Sequence, residues 1–183
     1  MKYLIYILAM MPIVPIVMGL GNSFDPYDYL IDGTARWLMI WFILLLALGP
    51  LMRSFRIRSG IVGKQPLGLA VGTWALLHVI SYFMFHSSTV GRAALDLLTK
   101  PFLVLGVISF TFLVLLAATS YQRAIRWLGK KWNILHKLSL WAAALGAAHG
   151  LVAQKVAINE FGLYALLILI LLAWRGVTSL RKV

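Results

Sequence analysis

Cysteine is absent from the 183 residues, so the chain has no disulfide framework, no thiolate ligand and no sulfur with which to hold an iron–sulfur cluster. Charge is nearly as scarce. Only 12% of the residues are charged and just five are acids, against 62% hydrophobic residues and a mean hydropathy of +0.90. That balance excludes a soluble domain of this size. It describes an all-α integral membrane protein whose length is taken up by apolar spans of about 20 residues each, joined by short loops. No internal repeat, low-complexity tract or linker divides residues 1–183, which read as a single domain.

A formal charge of +12 would suit a nucleic-acid binder, but the positions of the charges decide against one. Arg53, Arg56, Arg58 and Lys64 share one gap between apolar segments. Arg123, Arg126, Lys130 and Lys131 share another, and Arg175, Arg181 and Lys182 close the chain. These alternate gaps lie on one side. All five acids (Asp25, Asp28, Asp32, Asp96 and Glu160) fall in the other gaps, with Arg36, Arg92, Lys100 and Lys155 as their basic company. The positive-inside rule makes the basic side of this multi-pass protein cytoplasmic, with both termini on it. The basic gaps themselves read first as a collar facing anionic lipid, and Trp127 and Trp132 as interfacial anchors.

In chain order, Lys2 precedes an apolar run from Tyr3 to Leu20 that is interrupted by Pro12 and Pro15. A signal peptide has a similar outline, but a first span kinked by its prolines is the reading adopted. An acidic, turn-forming outer loop from Gly21 to Thr34 follows, then a second helix from Arg36 to Met52. Helix three opens at Pro66, a favourable first helical position, and runs to His86 with a Gly68/Gly72 pair that permits close packing. After a short outer loop ending at Lys100-Pro101, helix four covers Phe102 to Thr119, with Gly106 and Ser109 as its small or polar positions. Helix five occupies Trp127 to Val152 and helix six Phe161 to Trp174. The total is six transmembrane helices in one bundle.

Histidine carries the chemistry. An ionisable ring in hydrocarbon needs a partner, so a histidine within a span is a functional candidate by default. His78 lies about 18 Å along helix three, in the middle or outer part of a core roughly 30 Å thick. It could simply bond a neighbouring carbonyl, or a hydroxyl such as Ser81. His86, beside Ser87 and Ser88, reads as a wet interfacial side chain. His136 and His149 are thirteen residues apart, about 20 Å on a helix, so they cannot share one iron, nor do they share a stripe on a straight helix. His149 matches His78 in depth. The small residues ahead of it (Ala142, Ala143, Ala144, Gly146, Ala147 and Ala148) clear room for a flat ligand or a close helix. A bis-histidine heme iron between helices three and five is the natural pairing.

The segments PLGL…WALLHVISY (Pro66 to Tyr82), LTKPFLVLGVISF (Leu98 to Phe110) and ATSYQRAIRWLGKKWNILHKL (Ala118 to Leu138), with the later His149, closely resemble the MsrQ/YedZ family. That family is the heme-binding membrane subunit of the bacterial protein-methionine-sulfoxide reductase system, within the wider ferric-reductase-like transmembrane group. The resemblance covers nearly the whole chain. It implies heme b, one and conceivably two, held by residues matching His78, His136 and His149, with His136 serving a second or alternative site. It also implies electrons drawn from the quinone pool or a flavin donor, an associated FMN, and delivery to a periplasmic molybdopterin-containing methionine-sulfoxide reductase subunit.

Some positions depart from the family's pattern. Gln65-Pro66 stands where an Arg-Arg pair is usual ahead of Leu67-Gly68-Leu69, and Asp32 stands where an outer-loop histidine is common. Leu140 and Gly150 occupy places usually aromatic, and Lys64 and Arg92 fall where oxidase-like members carry a second helix-three histidine.

The reading adopted is a b-type cytochrome subunit that relays electrons without substrate chemistry of its own. Its rivals are a stand-alone ferric or quinone oxidoreductase using the same heme, and a non-redox membrane scaffold or transporter whose histidines serve packing or proton relay.

Overall fold

The computed structural model describes residues 2–55, 64–85, 90–154 and 160–180. All regular structure among these residues is helical, and five stretches are long and apolar enough to cross a membrane. The chain is a multi-pass membrane protein. The first stretch, Tyr3–Asn22, is broken as its prolines require: α1 (Lys2–Met10) stops before Pro12, α2 (Ile13–Gly19) resumes, and a 3-10 turn (Leu20–Asn22) ends it. It packs on α4 (Lys64–Phe85), where the Tyr6 hydroxyl meets Thr73 at 2.9 Å and Trp74 donates its indole N–H to the Ala9 carbonyl at 2.9 Å.

The second helix, α3 (Pro26–Ser54), begins ten residues earlier than the expected Arg36. The Asp25-Pro26 pair is a start signal and not only a turn. An Asp25 carboxylate oxygen accepts the free N–H groups of Tyr27 (2.9 Å) and Asp28 (3.1 Å), and proline at the first helical position has no N–H to lose. Capping therefore wins over the polar composition of that segment. Likewise the expected short outer loop after α4 holds a helix, α5 (Val90–Thr99), ahead of α6 (Pro101–Ala118), which again has proline at its start.

The largest departure concerns the stretch from Trp127 to Val152, expected as one span. It is three pieces: α7 (Gln122–Leu128), α8 (Lys130–Leu135) and α9 (Leu138–Ala153). Gly129, at φ 51°, makes the first break in a backbone conformation that favours glycine. His136 and Lys137 form a second, tighter turn. At 16 residues α9 is about 24 Å long, short of a hydrocarbon core of roughly 30 Å. The expected six full-length spans are thus five, plus a shorter helix enclosed by two of them. The last span is α10 (Glu160–Leu180).

Five helices close a ring in which α3 packs on α4, α4 on α6, α6 on α9, α9 on α10 and α10 back on α3. Met39, Phe42 and Leu46 of α3, Val71 and Ala75 of α4, Leu113 of α6, Ala142, Ala143 and Ala147 of α9, and Ala165 and Ile168 of α10 fill its middle. Small residues set the spacing of its tightest contact. Ser109 on α6 donates its hydroxyl to the Ala142 carbonyl of α9 at 2.8 Å, and a Cβ on Gly146 would come within 3.3 Å of that same hydroxyl. Of the two openings the small residues of α9 left, a flat ligand or a close helix, α6 takes this face. The Gly68/Gly72 pair is half used, with Gly72 against Ala117 of α6 and Gly68 facing open space.

Candidate functional site

The site forms at the end of the ring where α3, α6 and α10 begin and α4 and α9 finish. His78 stands about two turns from the end of α4 and His149 in the last turn and a half of α9. Their ring centroids are 6.3 Å apart, with the planes at 74°. Two imidazoles bound through one nitrogen each to a single metal ion, at about 2 Å per bond, have centroids roughly 6 Å apart. The observed spacing is close to that distance.

Hydrogen bonding settles which nitrogen each ring offers. The Nδ1 of His149 lies 2.8 Å from the Phe102 carbonyl, and that of His78 lies 3.2 Å from the Ile31 carbonyl. A carbonyl can only accept, so both rings carry their proton on Nδ1. Each Nε2 keeps its lone pair for a metal, the tautomer that an outer-shell carbonyl normally imposes on a metal-ligating histidine. The two grips differ in quality. His149 has one short bond, whereas His78 divides its N–H between Ile31 and the Thr34 hydroxyl at 3.3 Å. Thr34 is free to accept, because its own proton goes back to the Leu30 or Ile31 carbonyl, at 2.8 and 2.9 Å.

Packing narrows His149 further. The Phe102 ring tilts over it at 5.7 Å, and a Cβ placed on Gly106 would fall 3.0 Å from Nδ1 and 3.1 Å from Cε1. Glycine at 106 gives the imidazole its room. Thr34, Gly106 and the carbonyls of Ile31 and Phe102 are parts of the histidine surroundings that sequence reasoning missed. Only Gly106, as a small position in helix four, had left a visible trace.

His136 is not part of this pair. It sits at the turn between α8 and α9, stacked on Trp132 with centroids 3.9 Å apart, and its Nε2 lies 3.4 Å from the Thr119 hydroxyl. Thr119 is seventeen residues beyond Phe102, about 26 Å along α6, so His136 and His149 occupy opposite ends of the ring. His86 lies outside the described residues, and Ser81 donates to Leu77 rather than to His78. Among the described residues no group of three or more histidine, aspartate or glutamate side chains could hold a metal ion, so any metal at the pair draws its other ligands from elsewhere.

Residues 32–147 match the family model for the ferric reductase like transmembrane component, a span that includes His78 and His136 and stops two residues short of His149. Among curated proteins, the chain is 31% identical over 180 residues to the protein-methionine-sulfoxide reductase heme-binding subunit MsrQ of Cronobacter sakazakii, covering 96% of this chain and 90% of that one. The chain belongs to the MsrQ family. The proteins of that name in Polaromonas naphthalenivorans (34% identical over 155 residues, 82% of this chain and 71% of that one) and Rhizobium meliloti (31% over 158 residues, 86% and 71%) agree. No solved structure matches. The similarity to the Cronobacter sakazakii protein covers 96% of this chain, so the histidine pair sits inside the shared region and not on an appended segment.

Proposed function

We propose that His78 and His149 are the two axial ligands of a b-type heme, and that the chain is the electron-relaying membrane subunit of a methionine-sulfoxide reductase. The single observation carrying this reading is the pair of facing imidazoles, each with Nδ1 committed to a carbonyl. Two protein ligands suffice where a porphyrin contributes the other four nitrogens, which fits the lack of a third metal-holding side chain beside the pair among the described residues. When bound, such a heme supplies one-electron ferric–ferrous chemistry with no vacant coordination position.

The chain's own residues do the rest. The Phe102 and Ile31 carbonyls hold the rings in the correct tautomer and raise their basicity, favouring the ferric state. Gly106 lets His149 reach its place, and both rings are half-buried at the end of the helix ring. His136 is kept as a second or alternative ligand position.

The basic residues Lys64, Arg123, Arg126, Lys130, Lys131 and Arg175 belong to the opposite end, which the positive-inside rule puts in the cytoplasm together with both termini. The histidine pair then lies in the outer half of a bacterial inner membrane, beside a periplasmic molybdopterin-containing catalytic subunit. Electrons would arrive from the quinone pool or a flavin donor, with FMN as a further cofactor implied by family resemblance.

The test is optical. The purified full chain, reduced with dithionite, should show a narrow b-type α-band and about one porphyrin per chain. A colourless, correctly folded preparation that takes up no added hemin would leave a non-redox membrane scaffold. Reduction of ferric chelates or oxidation of quinol at full rate by the chain alone would favour a stand-alone oxidoreductase.

A further inference from the structure

The helix that carries His78 and the helix whose carbonyl holds His149 are joined at a side chain outside the site. Asp96, near the end of α5, has 15% of its side chain exposed and uses both carboxylate oxygens. One accepts the Tyr82 hydroxyl at 2.7 Å, and the other pairs with the Lys100 ammonium at 3.1 Å. The backbone repeats the second link, since the Lys100 N–H donates to the Asp96 carbonyl at 2.8 Å. Tyr82 stands one turn beyond His78 on the same face of α4, because residues four apart on a helix stack above one another. Lys100 is the N-cap of α6, immediately ahead of Pro101 and two before the Phe102 whose carbonyl holds His149.

We infer that Asp96 is a positioning residue that clamps the end of α4 to the start of α6 and thereby fixes how far apart, and at what angle, His78 and His149 face each other. This deepens the heme reading and rests on it. A carboxylate suits the task better than an amide, because it can accept from a hydroxyl and a cation at once, and charge-assisted bonds are the shorter and stronger ones. Sliding α6 by even a fraction of a turn would carry the Phe102 carbonyl away from Nδ1, whose 2.8 Å bond tolerates little displacement.

The experiment compares the full chain, purified with its heme, with D96N, D96E, Y82F and the control R36Q. Arg36 pairs with Glu160 between α3 and α10 at the same end; it shares α3 with Ile31 and Thr34, but among the described residues neither charged side chain hydrogen-bonds a histidine, Asp96 or Lys100. The readouts are the electron paramagnetic resonance g-values of the ferric form, which report the angle between the imidazole planes, and the rate of heme loss to an excess of apomyoglobin. D96N should change the g-anisotropy and lose heme about tenfold faster, the lower end of what an outer-shell partner contributes. D96E should recover part of the change, Y82F should show a smaller one in the same direction, and R36Q should match wild type. Unchanged g-values and heme loss in both D96N and Y82F overturn the clamp, as does an R36Q variant equally altered, which would show general loosening of that end. If D96N does not accumulate, Y82F decides alone. Absence of heme from the wild-type chain would instead remove the reading beneath it.

Discussion

The two ends of the helix ring use the same amino acid in opposite ways. At one end two imidazoles from different helices lie with their centroids 6.3 Å apart, each with its Nδ1 N–H given to a carbonyl. At the other, His136 stacks flat on Trp132 and has the Thr119 hydroxyl at its Nε2. That hydroxyl already donates to the Leu115 carbonyl at 2.8 Å, so it receives the His136 proton and Nε2 is the protonated nitrogen. Which carbonyls and hydroxyls reach each ring decides which of its nitrogens carries the proton. Spacing along the chain does not decide the matter.

The comparison breaks most severely if either member of the facing pair is dispensable. H149A and H78A should each abolish the six-coordinate low-spin spectrum, leaving at most a weakly held, high-spin heme. Added imidazole should restore the low-spin bands where a cavity replaces the ring. Wild-type spectra in both single variants would sink the assignment. With planes at 74° the ferric wild-type chain should also give a strongly anisotropic low-spin signal, since near-perpendicular imidazoles leave the two iron orbitals almost equal in energy.

Much of this geometry was legible in the residues, and the parts that were not share a cause. The pairing of His78 with a histidine of matching depth needs only the rise per residue and the direction of each span, both readable from apolar length and charge. The second partner of each ring was hidden, because Ile31 and Phe102 act through backbone carbonyls that any side chain would bring. Helix starts were misjudged where composition and capping disagree, as at Asp25-Pro26, whose polar neighbourhood looks like a loop until the carboxylate is seen to accept two N–H groups. The interruption at His136 was invisible for a different reason. Gly129 announces the first break, but no glycine or proline marks the second, which comes from Trp132 being drawn to the end of α6 by its 3.0 Å bond to the Thr119 carbonyl.

A smaller disturbance sharpens the role of close packing around His149. Alanine in place of a helical glycine ordinarily stabilises a helix by about 0.5–1 kcal/mol. At position 106 the added Cβ would sit 3.0 Å from an imidazole already held by Phe102, so the ring must shift by a few tenths of an ångström. G106A should therefore leave the thermal stability of the heme-free chain equal or higher while weakening heme retention about tenfold. Parallel losses in both measurements would show that Gly106 serves the fold alone.

The weaker grip on His78 predicts a slighter effect. T34V removes one of two long contacts and leaves the Ile31 carbonyl, so the loss is about 0.5 kcal/mol, the low end for a hydrogen bond. A less basic His78 stabilises the ferric state less. The midpoint potential should rise by about 20 mV, the one-electron equivalent of that energy. Potentiometric titration checks both size and sign, and a fall would mean that Thr34 is not an acceptor for Nδ1.

The smallest change is expected at the other end, and it tests the comparison from its weak side. H136A takes away the stack on Trp132 and the 3.4 Å contact to Thr119, neither of which reaches the facing pair about 26 Å along α6. The indole keeps its own bond to the Thr119 carbonyl, so the turn between α8 and α9 retains one of its ties to α6. The α-band, the g-values and the porphyrin content should all equal those of the wild-type chain. A drop from two porphyrins to one per chain would identify His136 as a ligand at a second site, with its Nδ1 rather than Nε2 facing the metal. A changed g-anisotropy at constant heme content would mean instead that the two ends are mechanically coupled through α9, whose first turn begins two residues after His136 and whose last turns hold His149.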